Sequence, residues 1–245
     1  MMKRIFVFIF GLFSFATAAN AICKPVQFAK ANYTVCGFDT RTDTLALYDL
    51  DATGKPYGGF VVLRDALLAQ GKELLFAMNA GMFGTDLKPI GYYVEGGKLL
   101  HAMNHADGPG NFHLKPNGIF YVAGQKAGVM ETEAFAHSGI KPDLATQSGP
   151  MLVVGGALHP SILPSGQSIK IRNGVCVNDG NKVLFAISDD FVTFYQFATM
   201  FRDGLHCKDA LFLDGSVSSL YAPELKRSDF LSNLGPMVGV TSPTK

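Results

Sequence analysis

Four glycine-rich stretches in this sequence set polar side chains at the ends of apolar runs, and they hold the residues best suited to chemistry. They read Ala77-Met78-Asn79-Ala80-Gly81-Met82-Phe83, Gln147-Ser148-Gly149-Pro150-Met151-Leu152, Ile171-Arg172-Asn173-Gly174-Val175 and Phe212-Leu213-Asp214-Gly215-Ser216-Val217-Ser218-Ser219. An apolar strand that runs into Asp-Gly-Ser delivers a carboxylate and hydroxyls on a tight turn, where backbone N–H groups can also face an anion. Arg172 adds a guanidinium whose planar fork matches a phosphate. Asn79 and Ser148 add neutral hydrogen-bonding groups. Each stretch alone reads more simply as ordinary turn chemistry, with Asp214 capping its turn and Arg172 in a surface ion pair.

Together and in this order, the four stretches resemble the phosphodiester glycosidase family. Asn79-Ala80-Gly81-Met82-Phe83 stands for that family's Asn-Gly-Gly-Phe-Phe-like turn, and Ser148-Gly149-Pro150-Met151-Leu152 for its Ser-Gly-Pro-Met-Leu-like strand. Arg172-Asn173-Gly174 stands for an Arg-containing strand start, and Asp214-Gly215-Ser216-Val217-Ser218-Ser219 for an Asp-Gly-Gly-Gly-Ser-Ser-like turn that follows a helix. The resemblance spans residues 75–222. It departs at Ala80 and at Ser216-Val217, where glycines are usual, and this is expected to narrow the backbone freedom of both turns.

The resemblance implies an exported hydrolase that cleaves a sugar-1-phosphodiester or a related glycan–phosphate linkage. Its partner would be a carbohydrate-phosphate small molecule or an envelope glycan, with no cofactor assigned and a divalent cation left open. The departing phosphate monoester is a good leaving group, so general-acid help matters less than in ordinary glycoside hydrolysis. One carboxylate at the anomeric carbon and positive donors on the phosphate suffice. On this reading Asp214 acts on water or on the sugar, Arg172 grips the phosphate bidentately, and Asn79 with Ser218 or Ser219 orients the substrate. Gly215 and Ser148 complete the binding set, and His113 and Lys115 line the pocket. The alternative is a non-catalytic carbohydrate- or envelope-binding module on the same fold.

Asp189 and Asp190 follow the apolar run 183–187 and could supply a second carboxylate, although the sequence favours them as the N-terminal cap of the next helix. His101 and His105 are four apart, a spacing that suits a metal only on a helix. Gly96-Gly97 before them and Gly108-Pro109-Gly110 after them argue against one, so no metal site is assigned. There is no G-x-S-x-G elbow for a serine nucleophile.

The elements that must position these residues are mostly hairpins. Residues 33–38 and 44–50 alternate polar and apolar side chains, and glycine or Asn-Asp-Gly turns punctuate the runs 91–100, 119–126, 151–156 and 175–181. Two segments carry a helical period: residues 60–69, and the stripe Phe194, Phe197, Ala198, Phe201 and Leu205, which reads as a core face. No linker divides the chain. The expectation is a single α+β domain over residues 22–245, with a largely antiparallel or mixed sheet built from hairpins and a few packed helices.

Residues 1–21 have the order of a cleavable signal: Lys3 and Arg4, an apolar stretch too short to span a bilayer, then small residues ending Ala19-Asn20-Ala21. Cleavage near Ala21 would place the protein in the periplasm or outside the cell, with no membrane span. It would also remove two positive charges from a formal net charge of +1. No long basic run remains, which argues against nucleic acid as a partner. The four cysteines all lie beyond Ala21, and an even count in an oxidising compartment reads as two disulfides. Cys23–Cys36 and Cys176–Cys207 is the favoured pairing of three, because the first closes a short loop at the untethered mature N-terminus. The sequence leaves the oligomeric state open.

Overall fold

The computed structural model describes residues 22–230 and 232–244 of the chain, so the expected signal segment lies outside the described residues. Among the described residues every strand pairing is antiparallel. A seven-stranded sheet runs in the order Cys23–Phe28, Ala31–Asp39, Lys182–Ser188, Asn173–Asn178, Ala210–Asp214, Met151–Val154, Ala157–Leu158. One five-stranded sheet orders Arg227–Ser228, Leu220–Ala222, Lys72–Asn79, Met237–Pro243, Thr44–Tyr48. The other orders Lys98–His101, Tyr93–Glu95, Leu144–Ser148, Gly118–Ala123, Lys126–Glu131. A ribbon of Ile169–Lys170 with Val192–Thr193 stands apart from all three.

The three sheets share one core. Phe185, from the centre of the seven-stranded sheet, lies 5.2 Å from Phe76 of one five-stranded sheet and 5.6 Å from Phe120 of the other, measured between ring centroids. Such edge and tilted contacts between rings add to what their burial contributes. The outer face of the seven-stranded sheet is covered by the helix Phe194–Thr199 and the π-helical turn Met200–Gly204, whose Phe197 and Phe201 are fully buried. The aromatic stripe is therefore core. Coverage on both faces explains why Lys182–Ser188 is apolar almost throughout instead of alternating. The helix Phe60–Leu68 packs Phe60, Leu63 and Leu67 against the first five-stranded sheet.

The expected hairpins form, and so do the two disulfides, Cys23–Cys36 across the first hairpin and Cys176–Cys207 between a central strand and the segment after the π-turn. Two expectations are corrected. A third helix, Thr132–His137, covers the remaining five-stranded sheet through Phe135; its six residues are too few to show a period, and its signal is Glu131, which accepts from Ala134 N as a cap. Neither Asp189 nor Asp190 caps the helix after them. Thr193 does so, in a capping box with Gln196, while Asp190 accepts from the backbone and side-chain amides of Asn32.

Candidate active site

Strand ends from all three sheets meet at one point. Lys72–Asn79 and Leu144–Ser148 finish there, Ala210–Asp214 finishes opposite the start of Asn173–Asn178, and the register pairs Asn173 with Asp214. Two buried asparagines lock the junction. Asn173 Nδ2 donates to Asn79 O at 2.9 Å and to Asn79 Oδ1 at 3.1 Å. Asn173 Oδ1 accepts from Asp214 N at 3.0 Å, and Asn79 Oδ1 accepts from Ser219 N at 2.9 Å. The paired amides thus hold both ends of the 214–219 turn.

The hydroxyls serve the same turn. Ser218 Oγ donates to Asp214 O at 2.8 Å, Ser219 Oγ to Val217 O at 2.8 Å, and Ser148 Oγ to Leu213 O at 2.9 Å. Asn79, Ser148, Ser218 and Ser219 are all buried. The structure brings together these residues, expected to bind substrate directly, but as the frame of the turn. Sequence reasoning assigned no role to Asn173. Its Asn-Gly pair reads as turn chemistry, yet it lies within a strand, and only the pairing with Asp214 reveals what the amide does.

Asp214 is held as an open carboxylate. Its Oδ1 accepts from Ser216 N at 2.6 Å and Val217 N at 3.3 Å, which fixes the side chain over its own turn. Oδ2 has no hydrogen-bond partner among the described residues. Asp214 lines a cleft of about 290 Å³ with Met82, Phe83, Ile90 and Asn111. Gly215, Ser216 and Val217 line this cleft and also a second one of about 410 Å³.

Arg172 lies beneath that turn, 1% exposed. Its Nε donates to Val192 O at 3.1 Å and its Nη2 to Ser168 O at 2.7 Å, while the guanidinium carbon sits 3.7 Å from the Phe194 ring centroid. Among the described residues it has no carboxylate within ion-pairing distance. Burial pushes its pKa down to about 10, which still leaves it charged at neutral pH. The Nε–Nη2 edge is engaged by carbonyls, so the bidentate grip expected of Arg172 cannot use that edge; Nη1 is the guanidinium nitrogen with no acceptor among the described residues. A Cβ built on Gly215 would lie 3.4 Å from Nη1 and 2.9 Å from the Phe212 ring.

Glycine is needed at 215 for close approach and not for an unusual φ. The same holds at Gly81, where a Cβ would collide with Thr146 Oγ1 and Gln147 O. Ala80, Ser216 and Val217 all keep φ negative, so the departures from the family pattern cost these turns no conformational freedom that they use. Gly215→Ala is expected to displace the turn and lower turnover by about 100-fold, as ångström-scale misplacement does, with little change in melting temperature. Steady-state kinetics beside thermal unfolding checks it.

His113 and Lys115 are not brought to this point. Lys115 Nζ pairs with Asp107 Oδ1 at 2.7 Å and donates to His105 O, and His113 Nδ1 lies 3.0 Å from Ala106 O, so both organise the 105–115 loop. His105 contacts Glu133 and His101 the Ala102 carbonyl. Asp189 lies in the second cleft, ion-paired with Arg227.

Fold and site together define a three-sheet antiparallel protein whose converging strand ends hold one partly unpartnered carboxylate, Asp214, and, under the same turn, one buried cation, Arg172. The pattern of the phosphodiester glycosidase family matches residues 72–234. An uncharacterized Escherichia coli K12 protein, YigE, is 37% identical over 222 residues, which cover 90% of this chain and 85% of that one. Among solved structures, the zebrafish N-acetylglucosamine-1-phosphodiester alpha-N-acetylglucosaminidase catalytic domain, auto-inhibited by its pro-peptide, superposes with a TM-score of 0.60 at 12% identity, over 89% of this chain and 81% of that one. A hypothetical protein from Synechocystis gives 0.54 at 14% identity, over 89% and 61%. The chain belongs to the phosphodiester glycosidase family.

Proposed function

We propose that the protein is an exported hydrolase that splits the bond between a sugar's anomeric carbon and the oxygen of a phosphodiester. The observation that carries this reading is Arg172, a buried charge with no carboxylate beside it. Burying an unpaired cation is costly, and a site that receives an anionic substrate group offsets that cost. On this reading Nη1, under Gly215, donates to one phosphate oxygen. Asp214 Oδ2 acts on water or directly on the anomeric carbon. The carbon–oxygen bond breaks toward the phosphate, which leaves as a monoester with the electron pair, and water supplies the new oxygen on the sugar. The N-terminal signal pattern and the two disulfides support a periplasmic or secreted setting.

The test is release of free sugar from a panel of sugar-1-phosphodiesters, run in heavy-oxygen water beside Arg172→Lys and Arg172→Met. Turnover is expected with no label in the phosphate, falling about 100-fold in Arg172→Met, the scale of a lost transition-state donor, and less in Arg172→Lys. No release across the panel, label in the phosphate, or full activity in a folded Arg172→Met variant overturns the reading.

A further inference from the structure

The second cleft, which shares the 215–217 segment with the first, carries a different chemistry. Arg227 sits in it between two carboxylates: its Nη1 donates to Asp189 Oδ1 at 2.5 Å, and its Nε and Nη2 donate to Asp229 Oδ2 at 3.1 and 3.0 Å. Thr34 Oγ1 also donates to Asp189, and Leu220 N to Asp229, so every group of this rail is fixed. The guanidinium is neutralised from both sides, and with Lys170 at the edge of the same cleft the charged side chains sum to zero, so the cleft offers a phosphate no net attraction. The carboxylates nevertheless remain open to the cleft, with side-chain exposures of 30% for Asp189 and 24% for Asp229. A carboxylate has about four lone-pair sites, so each keeps capacity for a further hydroxyl donor. Phe191, 70% exposed, lines the same cleft. At about 410 Å³ the cleft is within the size range of small-molecule sites.

Fixed acceptors and an exposed aromatic ring in one cleft match a ring with hydroxyls on its edge and C–H groups on its face. We propose that this cleft is a specificity subsite for a neutral, hydroxyl-rich ring of the substrate, with Asp189 and Asp229 accepting from its hydroxyls and Phe191 packing on its apolar face. The assignment rests on the hydrolase reading for calling that ring part of a substrate. The charges divide the labour: phosphate goes to the buried Arg172, and the neutral ring to the already paired rail.

The test is binding of methyl glycosides and of inorganic phosphate to the full protein, followed by protein-observed NMR, for wild type, Phe191→Ala and Asp189→Asn. Phe191 is exposed, so its loss leaves the fold intact, and an unchanged melting temperature checks this. At least one methyl glycoside is expected to shift the resonances of Phe191 and Ser188, with its affinity at least fivefold weaker in both variants while phosphate binding is unchanged in Phe191→Ala. The proposal is overturned if no glycoside shifts those resonances, or if Phe191→Ala binds the glycoside as wild type does. Because the readout is binding, its failure is separable from failure of the hydrolase reading: glycoside binding without turnover sinks only the latter, and turnover with unchanged KM in Phe191→Ala sinks only the former.

Discussion

Asp214→Asn is expected to lower kcat by about 1,000-fold or more, the scale of losing a positioned base or nucleophile, while substrate affinity and melting temperature stay near wild type. Asparagine is the informative replacement because of how the carboxylate is held. Oδ1 accepts from Ser216 N and Val217 N, and an amide oxygen in the same place can accept from both. Only the charge and the open Oδ2 are lost, so a fall in turnover reports on chemistry and not on the shape of the turn. Asp214→Ala would confound the two, since it also strips two backbone donors of their acceptor. Turnover within tenfold of wild type in Asp214→Asn would remove Asp214 from the chemical step. Titration calorimetry on the inactive variant would then show whether the site binds without reacting, which is what a carbohydrate-binding module would do.

How far the sequence could be read depended on where each signal resides. The hairpins were legible because their turns carry glycine or Asn-Asp-Gly at positions that need them; Gly96, Gly97, Gly124, Gly155, Gly156 and Gly180 all take positive φ. The helix over 194–199 was legible because its phenylalanine period runs on through the π-helical turn Met200–Gly204, whereas Thr132–His137 stops after six residues and shows none. The motif glycines misled in kind. Gly81 and Gly215 suggested tight turns, but each is a place where a neighbour comes too close for a Cβ: at Gly215 the Phe212 ring, and at Gly81 Thr146 and Gln147, 65 or more residues away. Asp189 illustrates the same limit: as local sequence it is a helix cap, yet its partner Arg227 is 38 residues distant. Arg172 was identified as a charge that matters, but nothing local says that its Nε–Nη2 edge is occupied by Val192 O and Ser168 O.

Asn173 is the residue whose role most needs the three-dimensional pairing, and its removal is expected to have the largest effect on stability. In Asn173→Ala, Asp214 N and Asn79 Nδ2 lose their acceptor and Asn79 O loses its side-chain donor, while Asn79 Oδ1 keeps only Ser219 N, at a point that is fully buried. Stranding buried polar groups costs about 1–3 kcal/mol each, so two to three of them imply about 3–5 kcal/mol. For a chain of this size that corresponds to a fall of about 10 °C or more in melting temperature. Asn173→Asp should fare no better. It keeps the acceptor for Asp214 N but replaces the Nδ2 donor with an oxygen facing Asn79 Oδ1, and adds a buried charge. Ser218→Ala removes one neutral hydroxyl bond and should cost only about 1 kcal/mol. Scanning calorimetry on the three variants distinguishes a shared hub from a set of independent contacts. If Asn173→Ala melts no lower than Ser218→Ala, the asparagine pair does not hold the junction. If it melts far lower, turnover assayed below the transition should fall mainly in kcat, because the amide never meets the substrate and acts by fixing where Asp214 stands.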